Sequence, residues 1–177
     1  NESISLLMRR GLIGSASILV KRDSEAFRDA AAIAIDLSGE GVAAGFGLPL
    51  DLDEYFLFDE HGRYGAAEDD IVPCYREIWN DRKDEILEDM ERQFSALPDA
   101  GIRPDHVNGH HHAHLFPPVL PEVLRLMERH SIGRMRFCPS FYRSEASRGE
   151  ALGLLHGHGI RRPDHFIDLS RVMAGGR

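Results

Sequence analysis

Five of the ten histidines of this chain fall between His106 and His114, in the run His106-Val107-Asn108-Gly109-His110-His111-His112-Ala113-His114. A neutral imidazole offers a nitrogen lone pair to a divalent metal, and water bound to such a metal becomes a usable nucleophile because its pKa falls towards neutrality. The cluster therefore points to metallohydrolase chemistry. Read as an extended strand, in which alternate residues share a face, it points His110, His112 and His114 together and His111 the other way. The plainer reading is an exposed basic strand that captures metal adventitiously. Asp105 and His106 fit a turn as well as they fit ligand orientation.

Other candidates are weaker. Arg136 offers a fork of donors suited to a sugar hydroxyl or carboxylate, and a salt-bridged rim arginine is an equal reading. Cys138 reads as a small buried strand residue rather than a nucleophile, and His61 as a solvent-exposed loop residue. Trp79, Asp81, Asp84 and Glu85 read as the anchored and solvated sides of one helix.

The elements that must position these residues alternate. Ile4, Leu7 and Met8 recur at helical spacing and are closed by Gly11. Leu12 to Val20 reads as a strand, Asp23 as the cap of a helix over Ser24 to Ile35, and Val42 to Leu50 as a second strand. Asp51 to Asp70 has no clear period. Ile78, Ile86, Met90, Phe94 and Leu97 mark one amphipathic helix from Cys74 to Leu97, with Pro98 as its stop. Pro117, Pro118 and Pro121 mark a turn and the start of a helix through Met127. Met135 to Cys138 is a further strand, Glu145 to His156 a further helix, and Leu169 lies on a last strand. Gly101-Ile102-Arg103-Pro104-Asp105-His106 is nearly repeated at Gly159-Ile160-Arg161-Arg162-Pro163-Asp164-His165, which suggests repeated helix-to-strand turns. Parallel strands need crossover helices, so this order predicts an α/β parallel sheet or barrel, with active residues at the C-terminal ends of the strands.

A chain of 177 residues with 42% hydrophobic residues suits one domain with a substantial core. The formal net charge of −8 opposes nucleic-acid binding. Cys74 and Cys138 make neither a zinc knuckle nor a disulfide framework, which fits a cytoplasmic location. No apolar run is long enough for a transmembrane segment.

Gly101 to Pro117, G-I-R-P-D-H-V-N-G-H-H-H-A-H-L-F-P, resembles the strand signature of the YdjC-like carbohydrate deacetylases. Asn1 to Val20 is similar to that family's early helix and strand, and Met135-Arg136 and Arg162-Pro163-Asp164-His165-Phe166 add to the likeness. The resemblance implies an irregular, TIM-like (β/α) barrel, here a single domain over residues 1–177 truncated at both ends. It implies a metal-dependent hydrolase that removes N-acetyl groups from a carbohydrate or glycolipid headgroup, with an acetylated sugar as partner and a homodimer admitted. The expected cofactor is a divalent metal, Mg or Zn, with His110 as a ligand; His112 and His114 then take catalytic roles, and Arg136 binds substrate. The family's Ala-Asp-Asp-Phe-Gly segment would precede Asn1. Its Gly-Leu-His strand stands here as Gly45-Phe46-Gly47, with glycine in the place of a second metal histidine, and Asn108 replaces an aspartate. Those departures keep open a non-catalytic carbohydrate-binding relative, beside another His-x-His metallohydrolase such as a phosphoesterase.

Overall fold

The computed structural model describes residues 2–20, 24–56, 71–142 and 144–164, with the backbone alone for 71–75. Asp23, His61, the Cys74 side chain and the strand expected around Leu169 lie outside the described residues. Within them, α1 (Glu2–Arg9), β1 (Ser15–Ser17), α2 (Glu25–Gly39), β2 (Gly45–Leu50), α3 (Ile71–Asp99), β3 (His106–Gly109), α4 (Leu120–Arg129) and α5 (Glu145–Gly157) follow in order.

One device ends every helix among them. Gly11, Gly41, Gly101, Ser131 and Gly159 have positive φ, and the next residue is apolar: Leu12, Val42, Ile102, Ile132 and Ile160. In each case the amide of the apolar residue donates to the carbonyl five positions earlier, as in Ile102 to Leu97 (2.9 Å) and Ile160 to Leu155 (2.9 Å). This is the Schellman arrangement, in which a left-handed residue satisfies the orphan carbonyls and the apolar residue packs back on the last turn. It turns the chain towards the next strand. The near-repeated phrases at Gly101 and Gly159 are two of these turns.

The strands pair in parallel in the order β1-β2-β3. Ser17 stands opposite Gly47, Gly47 opposite His106, and Leu50 opposite Gly109. Parallel bridges at Val107 with Met135 and at Arg134 with Arg161 extend the same sense outward. The strand expected over Met135 to Cys138 is thus reduced to bridge contacts, because Pro139, which has no amide proton to give a ladder, opens a 3-10 turn at Pro139–Phe141. Among the described residues the pairings form an open sheet rather than a closed ring.

Three further differences have local causes. Only Ser15–Ser17 of the segment Leu12 to Val20 is strand, and α2 is capped by Ser24, whose side chain accepts from the Phe27 amide, and runs on to Gly39. Pro98 lies inside the last turn of α3 rather than stopping it at Leu97, and the helix bends at Arg82, whose φ is −121°. The third concerns the histidine segment, whose strand stops at Gly109 and continues as a 3-10 turn over His110–Leu115.

β2 has neighbours on both edges, and Leu48 and Leu50 are fully buried with Met90, Phe94 and Val107. The spacing of Ile86, Met90, Phe94 and Leu97 lays one face of α3 on this core. Leu48→Ala removes a side chain from the middle strand, where little can collapse to fill the space. It is expected to cost about 2–5 kcal/mol, seen as a lower urea midpoint with an unchanged slope.

Candidate active site

The register Leu50 opposite Gly109 decides which residues meet at the C-terminal edge of the sheet. Asp51 leaves β2 where His110 leaves β3, and both chains turn at that level. His110 Nδ1 lies 2.7 Å from Asp53 Oδ2 and 3.9 Å from Asp51 Oδ1, and His111 Nε2 lies 3.6 Å from Asp53 Oδ2. One ligand atom from each of Asp53, His110 and His111 falls within 4.8 Å of the others.

The acidic side of this group is built from α3. The buried Gln93 accepts from the Asp51 amide at 2.9 Å and donates to the Asp51 carbonyl at 2.7 Å and to Asp89 Oδ2 at 2.8 Å. The Asp53 amide in turn donates to Asp51 Oδ1 at 3.1 Å. Asp53 Oδ1 is buried and accepts no hydrogen bond. A carboxylate oxygen held this way is costly unless a cation satisfies it.

The histidine side depends on a left-handed turn. His111 (φ 48°, ψ 22°) and His112 (φ 62°, ψ 18°) both lie in the left-handed region, which is uncommon for residues other than glycine and costs of order 1–3 kcal/mol each. The turn overturns the expectation of an extended strand. His110 and His111, rather than His110, His112 and His114, face Asp53. His112 is partly buried, with its ring edge-on to Phe141 and 6.3 Å from that of His114.

His114 turns inwards and is completely buried. Its Nε2 donates to the Arg136 carbonyl at 2.9 Å, while a Cβ at position 109 would lie 2.1 Å from its Nδ1, so only glycine fits beneath the ring. Burial pushes the His114 pKa down to about 3, against a smaller upward effect of the Arg136 carbonyl. It is therefore neutral over the physiological range. The Arg136 guanidinium is partly buried, which lowers its pKa. It lines a cavity of about 710 Å³ with Ser17, Asp105, His106, Asn108 and Arg134. Tyr142 closes the far end of the turn by donating to the Leu115 carbonyl at 2.7 Å.

Sequence reasoning passed over Asp51, Asp53, Gln93 and His111. The available signal was two acids immediately after a strand, where a parallel sheet places its functional groups.

As to what such a group can hold, two imidazoles and a carboxylate are a donor set for a divalent cation, and the unsatisfied Asp53 Oδ1 fits the same use. Nitrogen donors suit zinc better than magnesium, which prefers oxygen.

A family model described as YdjC-like protein matches residues 1–175. The chain is 29% identical over 128 residues to a carbohydrate deacetylase of Brevibacillus brevis, covering 70% of this chain and 48% of that protein. It is 30% identical over 140 residues to a chitooligosaccharide deacetylase of Salmonella typhimurium, covering 75% and 51%. The chain thus spans about half the length of these curated relatives. Among solved structures, a protein of Enterococcus faecalis described as a cellobiose-phosphate cleavage protein superposes with a TM-score of 0.59 at 22% identity, covering 96% of this chain and 64% of that one. That likeness concerns the fold.

His114 also provides a pH signature. The unfolded chain takes up a proton there near the ordinary value of 6.5, whereas the folded chain resists until about 3. Between those values the unfolded state binds more protons, so this group lowers stability as the pH falls from 6.5 towards 3. In urea titrations the stability gap between the protein and His114→Gln is expected to narrow with acidification across that window. A gap independent of pH would contradict a buried neutral His114.

Proposed function

The chain belongs to the YdjC-like protein family, and on that premise we propose that it serves a metal-dependent hydrolase that removes N-acetyl groups from a carbohydrate or glycolipid headgroup. The architecture we assign to the full unit is an irregular (β/α) barrel. The names of the curated relatives support the activity, and the observation that carries it for this chain is the convergence of Asp53, His110 and His111.

Asp53, His110 and His111 would hold the divalent ion, zinc by the donor set. When bound, such an ion supplies Lewis acidity to the amide carbonyl and to the water that attacks it. The chain's own groups do the rest. Asp51, 3.9 Å from His110 Nδ1, is a carboxylate beside the ligand group and takes the proton of the attacking water. His112, on the same turn and partly exposed, returns a proton to the departing amine. His114 acts as a positioning residue, since its burial and its bond to the Arg136 carbonyl fix the segment that presents Arg136. The Arg136 guanidinium donates to sugar hydroxyls. Gln93 keeps Asp51 and Asp53 in place through the Asp51 backbone.

Acetate release from N-acetylated chitooligosaccharides, with zinc or magnesium added, tests this reading. Release is expected to fall to background in Asp53→Asn and His110→Ala and to be removed reversibly by a chelator. Release that survives both substitutions, or none from the unsubstituted protein with either metal, would overturn it.

A further inference from the structure

A second group of side chains crosses the sheet at the level of Gly47. Asp105 Oδ1 lies 2.5 Å from His106 Nδ1, and His106 Nε2 lies 3.3 Å from Ser17 Oγ. A carboxylate can only accept, so the Nδ1 proton belongs to the bond with Asp105 and Nε2 keeps its lone pair towards Ser17. Asn108 Nδ2 donates to Ser17 Oγ at 2.8 Å, which leaves the serine's own proton directed at His106. Arg134 donates to the other Asp105 oxygen at 3.4 Å. Donors and acceptors thus run in one direction from Asn108 to Asp105.

The middle strand is shaped to this relay. His106 is on β3 and Ser17 on β1, so the imidazole has to pass over β2. A Cβ at position 47 would lie 2.1 Å from His106 Nε2, and one at position 45 would lie 2.4 Å from Asp105 Oδ2. Gly45 and Gly47 share a face of β2, and each clears one member of the pair. Seen this way, Gly47 makes room for an imidazole from the neighbouring strand. Ser17 is exposed to the cavity that Arg134 and Arg136 also line, where positive charge favours an oxyanion.

We propose that Ser17, His106 and Asp105 form a nucleophilic centre that accepts acyl groups from small carboxylic esters, separate from the Asp53, His110 and His111 group. His106 and His110 are four residues apart, about 13 Å at the rise of an extended strand. In the forward step Ser17 Oγ attacks the ester carbonyl carbon and its proton passes to His106 Nε2. The carbon–oxygen bond to the alcohol then breaks, and that alcohol leaves with the proton from His106. Water, deprotonated in turn by His106, hydrolyses the acyl-serine to the carboxylic acid and restores Ser17. Asp105 holds the tautomer and offsets the charge on the imidazolium.

The probe for this centre is a fluorophosphonate, with which Ser17 Oγ forms a P–O bond as the P–F bond breaks and fluoride leaves. Mass spectrometry of the full chain should place one adduct on Ser17, formed at an unchanged rate in the presence of a chelator and in Asp53→Asn. Gly47→Ala displaces His106 without altering any reacting group and should slow the adduct about 100-fold, the order of a general-base contribution. Asp105→Asn serves the same purpose if circular dichroism shows that Gly47→Ala does not fold. An adduct on another residue, or one formed equally fast after either substitution, overturns the proposal. No acetate release from the unsubstituted protein with either metal, with labelling of Ser17 retained, would instead count against the deacetylase reading alone.

Discussion

The pairing of β2 with β3 at Leu50 and Gly109 is the constraint on which both candidate sites depend. Parallel strands in register deliver their C-terminal exits side by side, so the acids after Leu50 and the histidines after Gly109 converge, although Asp53 and His110 are 57 residues apart in sequence. Three residues earlier on each strand, the same pairing sets Gly47 beside His106 and opens the path to Ser17. A slip of one residue would reverse which side chains face the cavity and separate both groups. The buried Leu48, Leu50 and Val107 oppose such a slip, since it would carry them out of the core.

The left-handed turn at His111 and His112 is a second dependence. Two unfavourable backbone conformations in succession persist only where the surroundings fix them. Here His114 is held in the core by the Arg136 carbonyl and the bare backbone of Gly109, and Tyr142 secures Leu115. These contacts pin the turn at its far end, which leaves His110 and His111 aimed at Asp53. Polar atoms satisfied inside the core thus orient polar atoms at its edge.

Much of this was legible in the sequence. Helical spacing located α1 and α3, prolines marked the start of α4, and Gly11 and the near-repeated phrases at Gly101 and Gly159 marked three of the turns that end helices, because all of these are local signals. The histidine cluster carried the likeness to the YdjC-like family, and it drew attention to His110, which the structure sets beside Asp53. What could not be read was long-range. An extended strand through His114 is the default for that pattern, and the contacts that hold the turn instead, of His114 with Arg136 and of Leu115 with Tyr142, come from across the fold. Asp53 has no local mark beyond following a strand. Gly47 looked like the loss of a histidine, whereas the structure shows the space being used by His106, whose approach depends on a register that no local pattern encodes.

The direct test of this account is metal binding at the Asp53 group, read from the visible absorption of added cobalt(II). One ion per chain is expected in the protein and in His112→Ala, and affinity should collapse in both Asp53→Asn and His111→Ala. Undiminished binding in His111→Ala, with loss in His112→Ala, would restore the extended-strand arrangement and contradict the convergence described here.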